Sequence, residues 1–98
     1  MKSIIMRGVS VKKENFIPNK MTYQAPLTCK PAILRYLKSI NTPAFVGAMM
    51  CVDPISDMVY AQENDIFIDG GYQWSTQAIY MFEKYDILLE PEFVNKFS

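Results

Sequence analysis

Few side chains in this protein are equipped for chemistry, and one class is missing altogether. There is no histidine, which removes the commonest general base and every Ser-His or Cys-His nucleophile pair. Cys29 and Cys51 remain. A cysteine reacts as its thiolate, so it needs a helix N-terminus or a cationic neighbour to lower its pKa. Cys29 stands beside Lys30 at the expected start of a helix and is the better placed of the two; the ordinary reading of both is a small apolar group. Two thiolates without histidine would need two carboxylates to close a tetrahedral zinc site, an uncommon set. Glu63, Asp65 and Asp69 gather around one turn and strand, with Gly70-Gly71 behind them. Carboxylates so placed can hold Mg²⁺ or Ca²⁺. Their spacing fits no loop of fixed ligand positions, and turns favour Asp and Asn for conformational reasons alone. Gly70-Gly71 also lacks the spacing of a phosphate-binding loop. The reading is a non-catalytic chain, with neither metal nor cofactor expected.

The charges are more informative than the candidate catalysts. Residues 1–49 hold eight basic side chains against Glu14 alone, a net of +7. Residues 50–98 hold nine acids against Lys84 and Lys96, a net of −7, so the total of zero hides two strongly charged halves. Asymmetry of this kind points to partners rather than to fold. If the halves fold into opposed faces, they offer a basic surface, an acidic surface and a route to head-to-tail or two-fold self-association. If the first strand and helix pack onto the acidic half, the signs intermix and the sorting is only an accident of chain order.

Length and composition set the frame for either outcome. Ninety-eight residues, half of them apolar and a fifth charged, suit one globular domain spanning residues 1–98. No apolar run approaches the roughly 20 residues of a membrane span. Arg7 and Gly8 interrupt the first apolar stretch well before the roughly 7–15 residues of a signal-peptide core, and two cysteines are most simply free thiols. A cytoplasmic protein without membrane contact is the expectation.

The elements that must position these residues read as follows. Ser3 to Val11 has strand character, and Lys12 to Leu27, broken by Pro18 and Pro26, reads as a long connection. Met21-Thr22-Tyr23 is a candidate edge strand inside it. Ile33, Leu34, Leu37 and Ile40 recur at helical spacing over Pro31–Ile40. Phe45 to Val52 is a continuous apolar run and reads as a strand buried on both faces, with a helix the alternative that periodicity leaves open. Met58–Gln62 and Ile66–Ile68 follow as strands, completing an antiparallel meander. Ser75 caps a second helix, with Trp74 and Ile79 at the two positions of a hydrophobic staple. Pro91 opens a short final helix carrying Phe93, Val94 and Phe97. The predicted class is α+β: a small antiparallel sheet of three or four strands, two main helices packed on one side, and a short C-terminal helix.

Two surfaces follow from that layout. Nine of the thirteen aromatic rings lie after residue 59, interleaved with acids. Tyr72, Trp74 and Tyr80 cannot all turn inward on this periodicity, and exposed Tyr or Trp rimmed by carboxylates has the composition of a protein-binding hot spot. The opposing reading is that the rings fill the core of a small domain and the acids only solvate it. The predicted contact residues are Asp65, Asp69, Tyr72, Trp74 and Glu83. Their expected partner is a protein with a basic surface, in the manner of immunity proteins, antitoxins and virus-encoded inhibitors. The alternative is nucleic-acid binding by Lys12, Lys13, Lys30, Arg35 and Lys38, which could contact phosphates.

Overall fold

In the computed structural model, which describes residues 1–98, the elements run β1 (Lys2–Ser3), α1 (Pro18–Met21), α2 (Lys30–Ser39), β2 (Cys51–Val52), β3 (Val59–Ala61), β4 (Ile66–Asp69), β5 (Tyr72–Ser75), α3 (Thr76–Tyr85), α4 (Pro91–Val94) and a closing 3₁₀ turn (Asn95–Phe97). The fold is a compact α+β arrangement around a small mixed sheet. Gly70 and Gly71 set its centre. Both have positive φ, at 60° and 84°, which glycine adopts without steric cost. They form the two-residue turn of the β4–β5 hairpin, in which Asp69 faces Tyr72 and Phe67 faces Trp74.

The sheet has the order β1-β5-β4, with β5 central. β1 runs parallel to β5, so the sheet is mixed and not the antiparallel meander expected. The expected strands around Val52 and Val59 pair with each other as β2 and β3, in a separate two-stranded ribbon. Of the expected Ser3–Val11 strand only Ser3 is regular, as the second residue of β1. Beyond an isolated bridge from Ile5 to Leu89, the chain turns at Gly8, whose φ is 89°. The long connection holds the single helical turn α1, and its candidate edge strand is reduced to a Thr22–Ile87 bridge.

The helices follow local signals. The Ser75 hydroxyl accepts from the Ala78 N–H at 3.1 Å, capping α3 as its side chain predicts. At the other end Asp86 takes the left-handed conformation, and its N–H bonds the Met81 and Phe82 carbonyls. Helix α2 begins at Lys30 with Cys29 as N-cap, and the Cys29 side chain makes no capping bond. Ile33 and Leu37 of α2, Ala78, Met81 and Phe82 of α3, and Phe93 of α4 join Ile4, Tyr72, Trp74, Ile87 and Leu89 in one buried cluster.

The core is therefore complete without residues 45–50. Phe45, Val46, Met49 and Met50 are exposed, where the apolar run predicted burial on both faces. Only Cys51 at its end is buried. The reason is topological: Phe45 forms a single bridge to Ile66 at the outer edge of β4. The chain beyond it leaves the sheet before any second layer covers it. No helix is long and apolar enough to cross a membrane.

Candidate functional site

The predicted aromatic anchors do not reach the surface. Tyr72 is 5% exposed and Trp74 3%. Both lie on the core face of β5, while Gln73 between them is exposed. Trp74 packs beside Tyr36 and Phe67, with ring centroids 5.6 and 6.3 Å away. Tyr72 meets the Phe93 ring edge-on at 5.1 Å. A central strand paired on both sides has its alternate residues committed to the core, and that overrides the expectation of exposed rings.

Nor do the predicted carboxylates form an acidic face. Glu83 is bound by Lys38 at 2.7 Å. Asp69 accepts the Tyr36 hydroxyl. Burial, together with that carboxylate, pushes the Tyr36 phenol up to about 12. Asp65 is half-buried before β4, and its backbone is tied to Thr76 by two hydrogen bonds. No three cysteine or carboxylate side chains converge as metal ligands, and Glu63 and Asp65 sit apart from the Asp69 end of the hairpin.

The basic set is dispersed in the same way. Lys13 pairs with Asp57, Lys30 with Asp86 at 2.9 Å and Lys38 with Glu83. Lys2 pairs with Glu92 at 2.7 Å. Each of these four pairs joins a base of the first half to an acid of the second. Lys12 and Arg35 make no ion pair. The charges sorted along the chain are mixed on the folded surface, because β1 and α2 pack onto the acidic half.

One polar centre has no counterpart among the predicted residues. Asp53 is fully buried in the turn between β2 and β3. Its Oδ1 accepts from the Ile55 and Ser56 N–H groups at 2.8 and 2.9 Å. The Tyr80 and Tyr85 hydroxyls donate to the same carboxylate, and Lys84 Nζ reaches Oδ2 at 3.2 Å. Burial alone would raise this carboxyl's pKa. The bonds from Tyr80, Ser56, Tyr85 and Ile55 outweigh it and hold the pKa well below the usual carboxylate range. The Lys84 ammonium, bonded to Tyr80 and Asp53, is held well above its own. A satisfied buried carboxylate of this kind is a clasp: it fastens the β2–β3 ribbon to α3. The Tyr60 ring of β3 lies flat on Tyr80 with centroids 3.5 Å apart and closes the same joint. Beside it, burial pushes the Cys51 thiol up, away from the reactive thiolate. Cys29 and Cys51 are both free.

What the clasp holds in place is the one feature of the surface that departs from an ordinary monomer. Of eleven exposed large hydrophobic residues, eight fall between Phe45 and Val59, so the exposure is concentrated rather than scattered. Phe45, Val46, Met49, Met50, Val52, Ile55, Met58 and Val59 are each between 38% and 78% exposed. Phe45 and Ala78 line one groove; Met49, Met50, Val52 and Gln77 line another. Gln77 and Ala78, one from each groove, are neighbours at the start of α3. Gly47 seats this segment directly on the Asn64 backbone, where a Cβ would collide with the Asn64 carbonyl. The sequence carries the signal in the apolar run from Phe45 to Val52, whose composition predicts burial and whose exposure nothing local announces.

No protein-family model, no curated protein and no solved structure matches this chain. Its function rests on its own residues.

Proposed function

We propose that this is a non-catalytic protein that binds a macromolecular partner, inhibiting or adapting it, and that the contact is the apolar surface from Phe45 to Val59. The carrying observation is that eight of the eleven exposed large hydrophobic side chains fall within residues 45–59. Apolar exposure concentrated in one region, unlike single scattered residues, marks an interaction site. Met49, Met50 and Met58 give it the adaptable, polarisable character of protein-binding surfaces. The partner expected from sequence was a protein with a basic surface. With Glu83 and Asp69 engaged internally, the complement shifts to a protein with an apolar patch. The absence of histidine and the raised Cys51 thiol support a binding role over a catalytic one. Free thiols suit the cytoplasm as its compartment.

The test is capture of the partner from lysate of the encoding cells. Met49→Glu combined with Met58→Glu abolishes capture while leaving the circular dichroism unchanged; capture undiminished by both substitutions refutes the proposal. Nucleic-acid binding has weaker support, because Lys13, Lys30 and Lys38 are held in ion pairs. A salt-sensitive gel shift lost on Lys12→Glu plus Arg35→Glu would restore it.

A further inference from the structure

The geometry points to a second copy of this chain as an occupant of the same surface: two molecules associate about a two-fold axis, apolar face on apolar face. This rests on reading residues 45–59 as a contact surface and adds who occupies it. Three observations carry it. The first is area. Eight side chains exposed by 38–78% present on the order of 800 Å², about what one partner contributes to a standard interface. The second is charge. Ten basic and ten acidic side chains leave no net charge, so two copies approach without long-range repulsion. The border of the surface is also self-complementary. Lys12 and Glu14 line the groove shared by Met49, Met50 and Val52, and neither has an ion-pair partner within the chain.

A two-fold axis places the same patch against itself, so that residue i meets j and j meets i. An axis passing beside this groove sets Lys12 of one copy against Glu14 of the other, twice per dimer. The third observation is the β2–β3 ribbon, whose two strands pair only with each other. The ribbon is fastened to α3 at the Asp53 clasp, but no third strand pairs with either of its edges. Association covers Val52 and Val59, its exposed apolar pair, which face each other across the ribbon.

Sedimentation velocity tests this directly. The wild-type chain sediments as a dimer at concentrations on the order of 100 µM, and Met49→Glu plus Met58→Glu sediments as a monomer at the same concentration. Both methionines are largely exposed in the single chain, so the variant keeps its circular dichroism. A second set of variants reads the two-fold itself. Lys12→Glu and Glu14→Lys each weaken association by about three- to tenfold, and combining them restores it. A wild-type chain that remains monomeric overturns the inference while leaving partner capture standing. A dimer indifferent to the methionine substitutions, or a double charge swap as weak as the single ones, overturns it as well.

Discussion

Replacing Asp53 by Asn isolates the clasp between the ribbon and α3. The amide has nearly the shape of the carboxylate, and its oxygen still accepts from the Ile55 and Ser56 N–H groups that now lie 2.8 and 2.9 Å from Oδ1. What it loses is the negative charge and the Oδ2 acceptor. The NH2 in its place cannot accept from the Tyr80 hydroxyl, Tyr85 keeps only the oxygen at the Oδ1 position, and Lys84 loses its ion pair. Losing a hydrogen bond to a charged group costs roughly 1.5–3 kcal/mol, so the Tyr80 bond alone puts the cost at about 2 kcal/mol. For a domain of this length that is a fall of about 8–16 °C in Tm. The pH dependence supplies the control. The native carboxyl pKa is depressed, so its stabilisation is fully present above the unfolded-state value of about 3.9. It is lost progressively as pH falls toward the native value. Urea denaturation should therefore show a gap of about 2 kcal/mol between wild type and Asp53→Asn at neutral pH. That gap should narrow by about 1 kcal/mol near pH 3. No gap at neutral pH, or one of constant size down to pH 3, would refute the reasoning.

Three further outcomes follow from particular contacts. Gly47→Ala places a methyl against the Asn64 carbonyl, costs about 1–3 kcal/mol and speeds hydrogen exchange at the Phe45–Ile66 bridge; an unchanged melting curve would argue against the close seat. Trp74, the only tryptophan, is buried, so its emission is blue-shifted and resists iodide until the chain unfolds. Red emission with full quenching in the native state would put the indole back at the surface. Gly71 has a φ of 84° with open space around its Cα, so Gly71→Ala costs about 1 kcal/mol through backbone strain alone, read by thermal melting. A neutral result would mean that the hairpin turn relaxes.

Signals confined to a few neighbouring residues were legible in the sequence. Ser75 as a cap, Pro91 as a helix start and the apolar spacing of Ile33 and Leu37 all correspond to what forms. Pairings across long separations were not legible. Tyr72, Gln73, Trp74 and Ser75 alternate as a strand should, but the approach of a helix cap masked that period. The charge sorting was visible and misleading: Lys2 and Glu92 are 90 positions apart in sequence, yet they form an ion pair. Asp53 stands in a stretch of turn composition, Asp53-Pro54-Ile55-Ser56-Asp57, and nothing local announces its donors Tyr80 and Tyr85, which arrive from another element. The apolar run from Phe45 to Val52 was plain, but an apolar run does not encode what will cover it. Tyr72 and Trp74 were expected exposed and are buried; the candidate surface is the reverse disagreement, a place where burial was expected from sequence and exposure is found.

That disagreement is most directly measured by oxidative labelling of the methionines, alone and with the captured partner. Met49, Met50, Met58 and Met1 are exposed, and Met81 is fully buried, so the chain carries its own controls. The free protein, diluted to a single-chain state, should be oxidised quickly at the first four positions and not at Met81. Partner binding should then protect Met49, Met50 and Met58 while Met1 stays reactive. Slow oxidation of those three in the dilute free chain, or unchanged oxidation in the complex, would contradict the assignment of this surface as the contact.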